Sequence, residues 1–233
     1  MFNEDKHMNK IQKTNLTDVE KDFLDEGFMP IRYQFVGVSP MLMNRFPEPT
    51  SDDAAYIAEI SKKRNKQDAD HEELYRRSWM ISMHLHRGKP YMPMDNILKC
   101  LYSAAKSFRE GPKFVGETII DSIVLNHDMP ADLDEAWRIS RDEEDERSWV
   151  DIRPVRVQQS RVMRSRAKFF PWSVDLIVWT ANDSSTVDRW CRTAGIKKGL
   201  GDYRVEKGGQ FGRFKVVLKD LPEHYYQGIQ DRR

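Results

Sequence analysis

The chain has 233 residues, of which 39% are hydrophobic and 32% charged, and its 38 lysines and arginines against 37 aspartates and glutamates leave a formal charge of +1. At about 150 residues per domain this is one large domain or one domain with a sizeable insertion, and a three-domain assembly is excluded. The near-neutral total argues against a protein that coats nucleic acid through bulk positive charge, and no run approaches the roughly 20 apolar residues of a membrane span.

Residues 1–30 are polar with scattered apolar positions and read as an N-terminal arm, with a short helix around Thr17 to Leu24. From Ile31 the pattern alternates, with Ile31, Tyr33 and Phe35 on one side and Arg32 and Gln34 on the other, the period-2 signature of a half-buried strand. Residues 47–78 open on Pro47 and Pro49 and continue as a charged helical stretch, read as an insertion or flap in the domain that spans 31–233. Trp79 to His86 is expected to be a strand closed by Gly88 and Pro90. A helix follows Pro93, with Ile97, Leu98, Leu101, Ala104, Ala105 and Phe108 at helical spacing and Gly111 and Pro112 as its stop. Thr118 to Leu125 reads as a buried strand, and the acidic segment after it as a solvated connector. Residues 149–170 alternate through Val150, Ile152, Val155, Val157 and Val162, which predicts a β-hairpin arm. Val174 to Trp179 is a further strand. A second helix is capped by Asp183 or Ser184 and stopped by Gly195, and Arg213 to Leu218 is the last strand. Strand, helix, strand, strand, helix, strand is the βαββαβ order of an α+β, ferredoxin-like (RRM-like) core with an antiparallel sheet, here carrying a helical insertion and a basic β-hairpin arm.

The near-zero charge conceals segregation. Arg153, Arg156, Arg161, Arg164, Arg166 and Lys168 fall in one stretch free of Asp and Glu, whereas Asp132 to Arg147 holds eight acidic residues against three basic ones. Six of the twelve glycines lie between Gly195 and Gly212, interspersed with Lys197, Lys198, Arg204, Lys207 and Arg213. Glycines such as Gly199 and Gly201 allow positive φ and close approach, so this loop is expected to offer backbone N–H groups and cations to phosphates. Segregation of this kind is the footprint of a local polyanion site. Phe169, Phe170 and Trp172 follow the basic ribbon and are assigned mainly to the core, with base stacking as the alternative.

Other chemistries find less support. No Walker loop, GxGxxG fingerprint or GxSxG elbow is present, so no nucleotide cofactor and no nucleophile are expected. His84 and His86 lie two apart without a third ligand at recognisable spacing, so no metal is assigned. Cys100 and Cys191 sit in helical patterns and form neither a disulfide framework nor a zinc pair, which fits a reducing compartment. The first thirty residues lack the apolar block of a secretory signal, so we expect a cytoplasmic protein with no membrane partner.

Three strings, Ile31 to Arg45 (IRYQFVGVSPMLMNR), Tyr91 to Lys106 (YMPMDNILKCLYSAAK) and Gly195 to Val217 (GIKKGLGDYRVEKGGQFGRFKVV), resemble in their order the RAMP superfamily, the RNA-binding ferredoxin-like proteins of CRISPR effectors. Together they cover about a quarter of the chain. In the layout of the backbone subunit, the hairpin 149–170 would be the thumb inserted between bases. The resemblance implies a non-catalytic, largely sequence-independent binder of single-stranded guide RNA that assembles with copies of itself, and with other effector subunits, in a ribonucleoprotein. Met94, Asp95 and Asn96 replace small residues and Cys100 replaces a glycine, which marks a divergent member, encoded by a host defence system or by a phage or other mobile element. Target-cleaving members carry an aspartate in the loop after the first strand; here that loop holds Asn44 and no aspartate, which implies binding without cleavage. The alternatives are a metal-independent, guide-processing endoribonuclease using His84 or His86, and a phage single-stranded DNA-binding protein.

Overall fold

A computed structural model describes residues 15–45, 51–157 and 160–230; the side chains of 156, 157 and 160 lie outside the described set, as do residues 1–14, 46–50, 158–159 and 231–233. The fold is α+β with antiparallel sheets. Its largest sheet has four strands in the order β5-β8-β1-β9, formed by β1 (Met29–Gly37), β5 (Thr118–His127), β8 (Trp172–Thr180) and β9 (Phe214–Lys219). β1 lies inside, antiparallel to β8 with Phe35 opposite Val174 and to β9 with Phe35 opposite Val216. The period-2 pattern explains the two faces. Tyr33, Phe35, Val174, Leu176 and Val178 are buried under helices α4 (Met94–Lys106) and α7 (Ser184–Thr193), which supply Ile97, Cys100, Leu101, Val187 and Trp190 to the same core. Phe35 stacks on Phe214 with ring centroids 4.4 Å apart. On the opposite face Ile177 and Trp179 meet Leu16, Phe23 and Tyr225 from α1 (Asp18–Asp25), its N-terminal approach, and α8 (Glu223–Gln230).

A second sheet of three strands, β2-β7-β6, joins β2 (Met41–Met43) to the hairpin β6 (Val150–Val157) and β7 (Ser160–Phe169). The insertion is two helices, α2 (Asp52–Lys62) and α3 (Asp68–Ser82). α3 packs along β7 and seats the fully buried Trp79 at the root of the hairpin. There the Trp79 indole donates to the carbonyl of Trp149 at 2.8 Å, and the Ser82 hydroxyl accepts the Ala167 N–H at 2.8 Å.

Several expectations change. Trp79 to His86 is not a strand: α3 runs to Ser82, because Tyr75, Trp79 and Met83 recur at four-residue spacing on the face that meets the hairpin, and only Leu85–His86 (β3) pairs with Lys89–Pro90 (β4). The acidic connector contains α6 (Leu133–Ser140), which buries Ala136, Trp137 and Ile139, while Asp134 and Glu135 occupy the first turn, where the helix dipole favours anions. Gly111 and Pro112 do not stop α4, which already ends at Lys106; they open α5 (Gly111–Glu117), with proline at the N-terminal turn. β5 is an edge strand of alternating exposure rather than a buried one. Gly195 is not the stop of α7: the chain continues through a π-helical turn, Ala194–Lys198, and leaves it at Gly199 with φ +76°.

Trp79 ties the insertion to the hairpin, so Trp79→Ala should cost about 3–5 kcal/mol of stability. Urea denaturation followed by circular dichroism checks this; a loss below about 1 kcal/mol would mean the insertion is not anchored there.

Candidate nucleic-acid interface

Register decides which hairpin arginines act together. Asp151 lies opposite Arg166, Arg153 opposite Arg164, and Arg156 opposite Arg161. Opposed residues of an antiparallel ribbon share a face, so Arg153, Arg164, Arg166 and Lys168 project to one side with Asp151, and Arg161 to the other. Like charges directly opposite one another are unfavourable, so the ribbon must be balanced by other groups. At the root Asp151 provides them. Arg153 grips its carboxylate through Nε at 2.7 Å and through Nη2, and Arg166 reaches its Oδ1 at 3.3 Å. Towards the tip the balance is missing: Arg161 is exposed, Arg164 is half-exposed, and neither pairs with a carboxylate among the described residues. Lys168 is half-buried, and burial lowers its pKa, opposed by Asp151. The Arg156 side chain lies outside the described residues. Phe169 and Trp172 are core residues, whereas Phe170 is half exposed.

The glycine loop takes a different form from the one its sequence suggests. Its N–H groups are largely engaged within the fold. Gly199 donates to Ala194 at 2.8 Å, Gly208 to Val205 at 3.0 Å, Gly209 to Arg204 at 3.1 Å and Gly212 to Pro40 at 2.8 Å. They are therefore not a free cradle for phosphate. The glycines instead allow backbones to touch. A Cβ on Gly201, at φ +79°, would lie 2.2 Å from the Leu42 carbonyl, and one on Gly212 would lie 1.8 Å from that of Leu200. This closeness lets Asp202 bridge to Leu42 of β2, with an N–H to carbonyl bond of 2.7 Å. The loop's cations divide. Lys198 and Arg204 face Glu206, and Arg213 donates to the Ile196 carbonyl at 3.1 Å. Lys197 and Lys207 are exposed, with no carboxylate partner among the described residues.

The hairpin and loop meet at Arg166. This guanidinium is only 3% exposed and lies between Asp151 and Asp202, 2.7 Å from the Asp202 carboxylate. Beside it the Arg153 guanidinium sits 4.6 Å from the centre of the Phe211 ring and 6.0 Å from that of Tyr203. The structure thus brings Arg153, Arg166, Gly201 and Arg204 together at one seam. Arg161 lies further along the ribbon, and Lys197, Lys198 and Arg213 gather around the π-helical turn at the other end of the loop.

Next to the seam, Asn44, His84, Asn96, Asp202 and Arg204 line a polar cleft of 170 Å³. It adjoins a wider one of 470 Å³ through His84 and Asn96. Burial lowers the His84 pKa, and the Arg45 charge lowers it further, both favouring the neutral ring. His86 is exposed, and both rings face Tyr91. No group of three or more His, Cys, Asp or Glu side chains is arranged for a metal among the described residues. Cys100 and Cys191 are free and buried, and burial pushes the Cys100 thiol up to about 12.

The partners that sequence reasoning missed are Asp151, Asp202, Tyr203 and Phe211. Asp151 carried a signal, since it stands two residues before Arg153 on a period-2 strand. Asp202 carried none, because its partner is 36 positions away. Among the described residues no helix is long and apolar enough to cross a membrane. In comparisons with known proteins, the chain matches no protein-family model and no curated sequence.

Removing Arg166 leaves two carboxylates facing an empty buried site, so Arg166→Ala should destabilise the protein by about 3–5 kcal/mol. Arg161→Ala, at an exposed position, should change stability by no more than about 0.5 kcal/mol. Parallel urea titrations of the two variants check the contrast; equal effects would contradict the division into a structural root and an exposed strip.

Proposed function

We propose that this chain binds single-stranded RNA, largely without regard to sequence, along a surface shared by the basic hairpin and the glycine loop. The observation that carries the reading is the seam: two cationic segments far apart in sequence are fixed side by side by Arg166 between Asp151 and Asp202. The Arg164 charge on the seam's side of the ribbon, and that of Arg161 further along it on the other side, lack carboxylate partners among the described residues, and phosphates would supply the missing anions.

A ferredoxin-like core of the RAMP type is part of the same proposal. Strand order β5-β8-β1-β9, with α4 between the first and second of these strands in the chain and α7 between the third and fourth, agrees with that architecture. So do the hairpin emerging before β8 and the glycine-rich segment before β9. Asn44, in the loop where cleaving members carry aspartate, lines the polar cleft, which favours binding without cleavage. Side-by-side assembly with further copies rests on the resemblance, and mass measurement with and without RNA tests it.

If about six phosphates are neutralised on one strand, log affinity against log salt should fall with a slope of about −4. Arg161→Glu together with Arg164→Glu should weaken binding to all sequences alike. Fluorescence anisotropy with labelled RNA checks both; a slope near zero, or unchanged affinity in the double variant, contradicts the reading. Competition with DNA oligomers of the same sequence separates RNA from DNA binding.

One observation favours a second reading, a metal-independent ribonuclease: His84, whose pKa burial lowers, shares the polar cleft with Arg204, an imidazole and a cation at one site. Incubating labelled RNA with the protein in EDTA decides between them. The binding reading expects intact RNA, and cleavage that disappears in His84→Ala would replace it.

A further inference from the structure

Tyr203 occupies a position that packing alone does not explain. It is one of three non-glycine residues with positive φ among the described residues, at +46°, a conformation that L side chains avoid. Backbone crowding holds it there: a Cβ on Gly209 would lie 1.6 Å from the Tyr203 carbonyl oxygen, so the two strands of the loop are pressed together at this point. The strained backbone does not bury the ring, which remains 45% exposed and belongs to neither hydrophobic cluster. Its hydroxyl has no hydrogen-bond partner among the described residues.

The surroundings specify a ligand. The Phe211 ring lies 6.1 Å from that of Tyr203, centre to centre, with 37° between the planes, and the Arg153 cation sits against Phe211. Arg204, paired with Glu206, follows directly in the chain, and exposed Lys207, with no carboxylate partner among the described residues, closes the same short turn and is the cation left for a phosphate. An aromatic surface left open among cations suits a flat, π-rich group carried on an anionic chain, that is, an unpaired nucleobase with its flanking phosphates.

We propose that Tyr203, backed by Phe211 and Arg153, is a stacking platform for one unpaired base of the bound strand. The inference rests on the RNA-binding reading and deepens it, since it assigns one base a fixed place on an otherwise sequence-tolerant surface. Every base has a π-face, so the platform adds affinity without selecting sequence. Arg153, held by Asp151, keeps the platform fixed relative to the hairpin.

The test uses the full chain and single-stranded RNA of one length in two forms, one intact with 2-aminopurine at successive positions and one abasic along its length. The unaltered protein should quench 2-aminopurine and bind the abasic strand about tenfold more weakly than the intact one. Tyr203→Phe should preserve both properties. Tyr203→Ala should bind intact RNA about tenfold more weakly and lose most of the preference for it. Should Tyr203→Ala not fold, the unaltered chain decides through its abasic comparison, together with Phe211→Leu, which should reduce the quenching. Salt-dependent binding with no difference between intact and abasic strands overturns the platform and leaves the RNA-binding reading in place. Absence of binding to either strand overturns both.

Discussion

The arrangement depends on a cation that water barely reaches. Arg166 is one of the few charged side chains in the interior, and desolvating a guanidinium is tolerable only where carboxylates and good geometry compensate. Asp151, on the neighbouring strand, and Asp202, from the glycine loop, provide them. An ion pair of this kind contributes little net stability compared with an apolar contact of the same volume, but losing one member is costly. It therefore acts chiefly to specify register. The hairpin cannot slide along the loop without stranding a buried charge.

Around that fixed point the electrostatics separate into two classes. Arg153, Arg166, Lys198 and Arg204 have carboxylates at hand, and their charges are largely spent on holding the fold. Arg161, Arg164, Lys197 and Lys207 face outward without such partners among the described residues. A total charge near zero thus coexists with a local excess of cations, because the acidic residues are used elsewhere: Asp134 with Arg76, Glu72 with Arg141, and Glu110 with Arg189. The opposite side of the main sheet has a different character. There α1 and α8 cover Trp179, and the uncovered strip is internally paired, with Asn126 and Gln34 both donating to Asp175.

The sequence was informative where one physical rule dominates. Alternation in Ile31 to Phe35 and along 149–170 gave the central strand and the hairpin, and the scattered apolar positions around Thr17 to Leu24 gave α1, whose capping box at Thr17 went unread. It misled where two rules overlap. Tyr75 and Trp79 of α3 and Met83 at its C-cap keep helical spacing, but His84 and His86 extend a short alternation that looks like a strand. In α6 the acidic first turn concealed three buried residues. The glycine loop was located correctly, yet its glycines serve close backbone packing against β2 and β9 rather than an open amide cradle, a distinction that depends on neighbours distant in sequence. The same applies to Arg166. As a letter it is one more arginine in a basic run; only the Asp202 contact makes it interior.

The claim that hairpin and loop act as one surface is most directly tested by hydrogen–deuterium exchange with and without a saturating single-stranded RNA, read peptide by peptide. The account predicts that RNA slows exchange together in 161–168 and in 196–208, with little change in α1 and α8. Slowing confined to one of the two segments, or centred on the Trp179 face of the sheet, would contradict it.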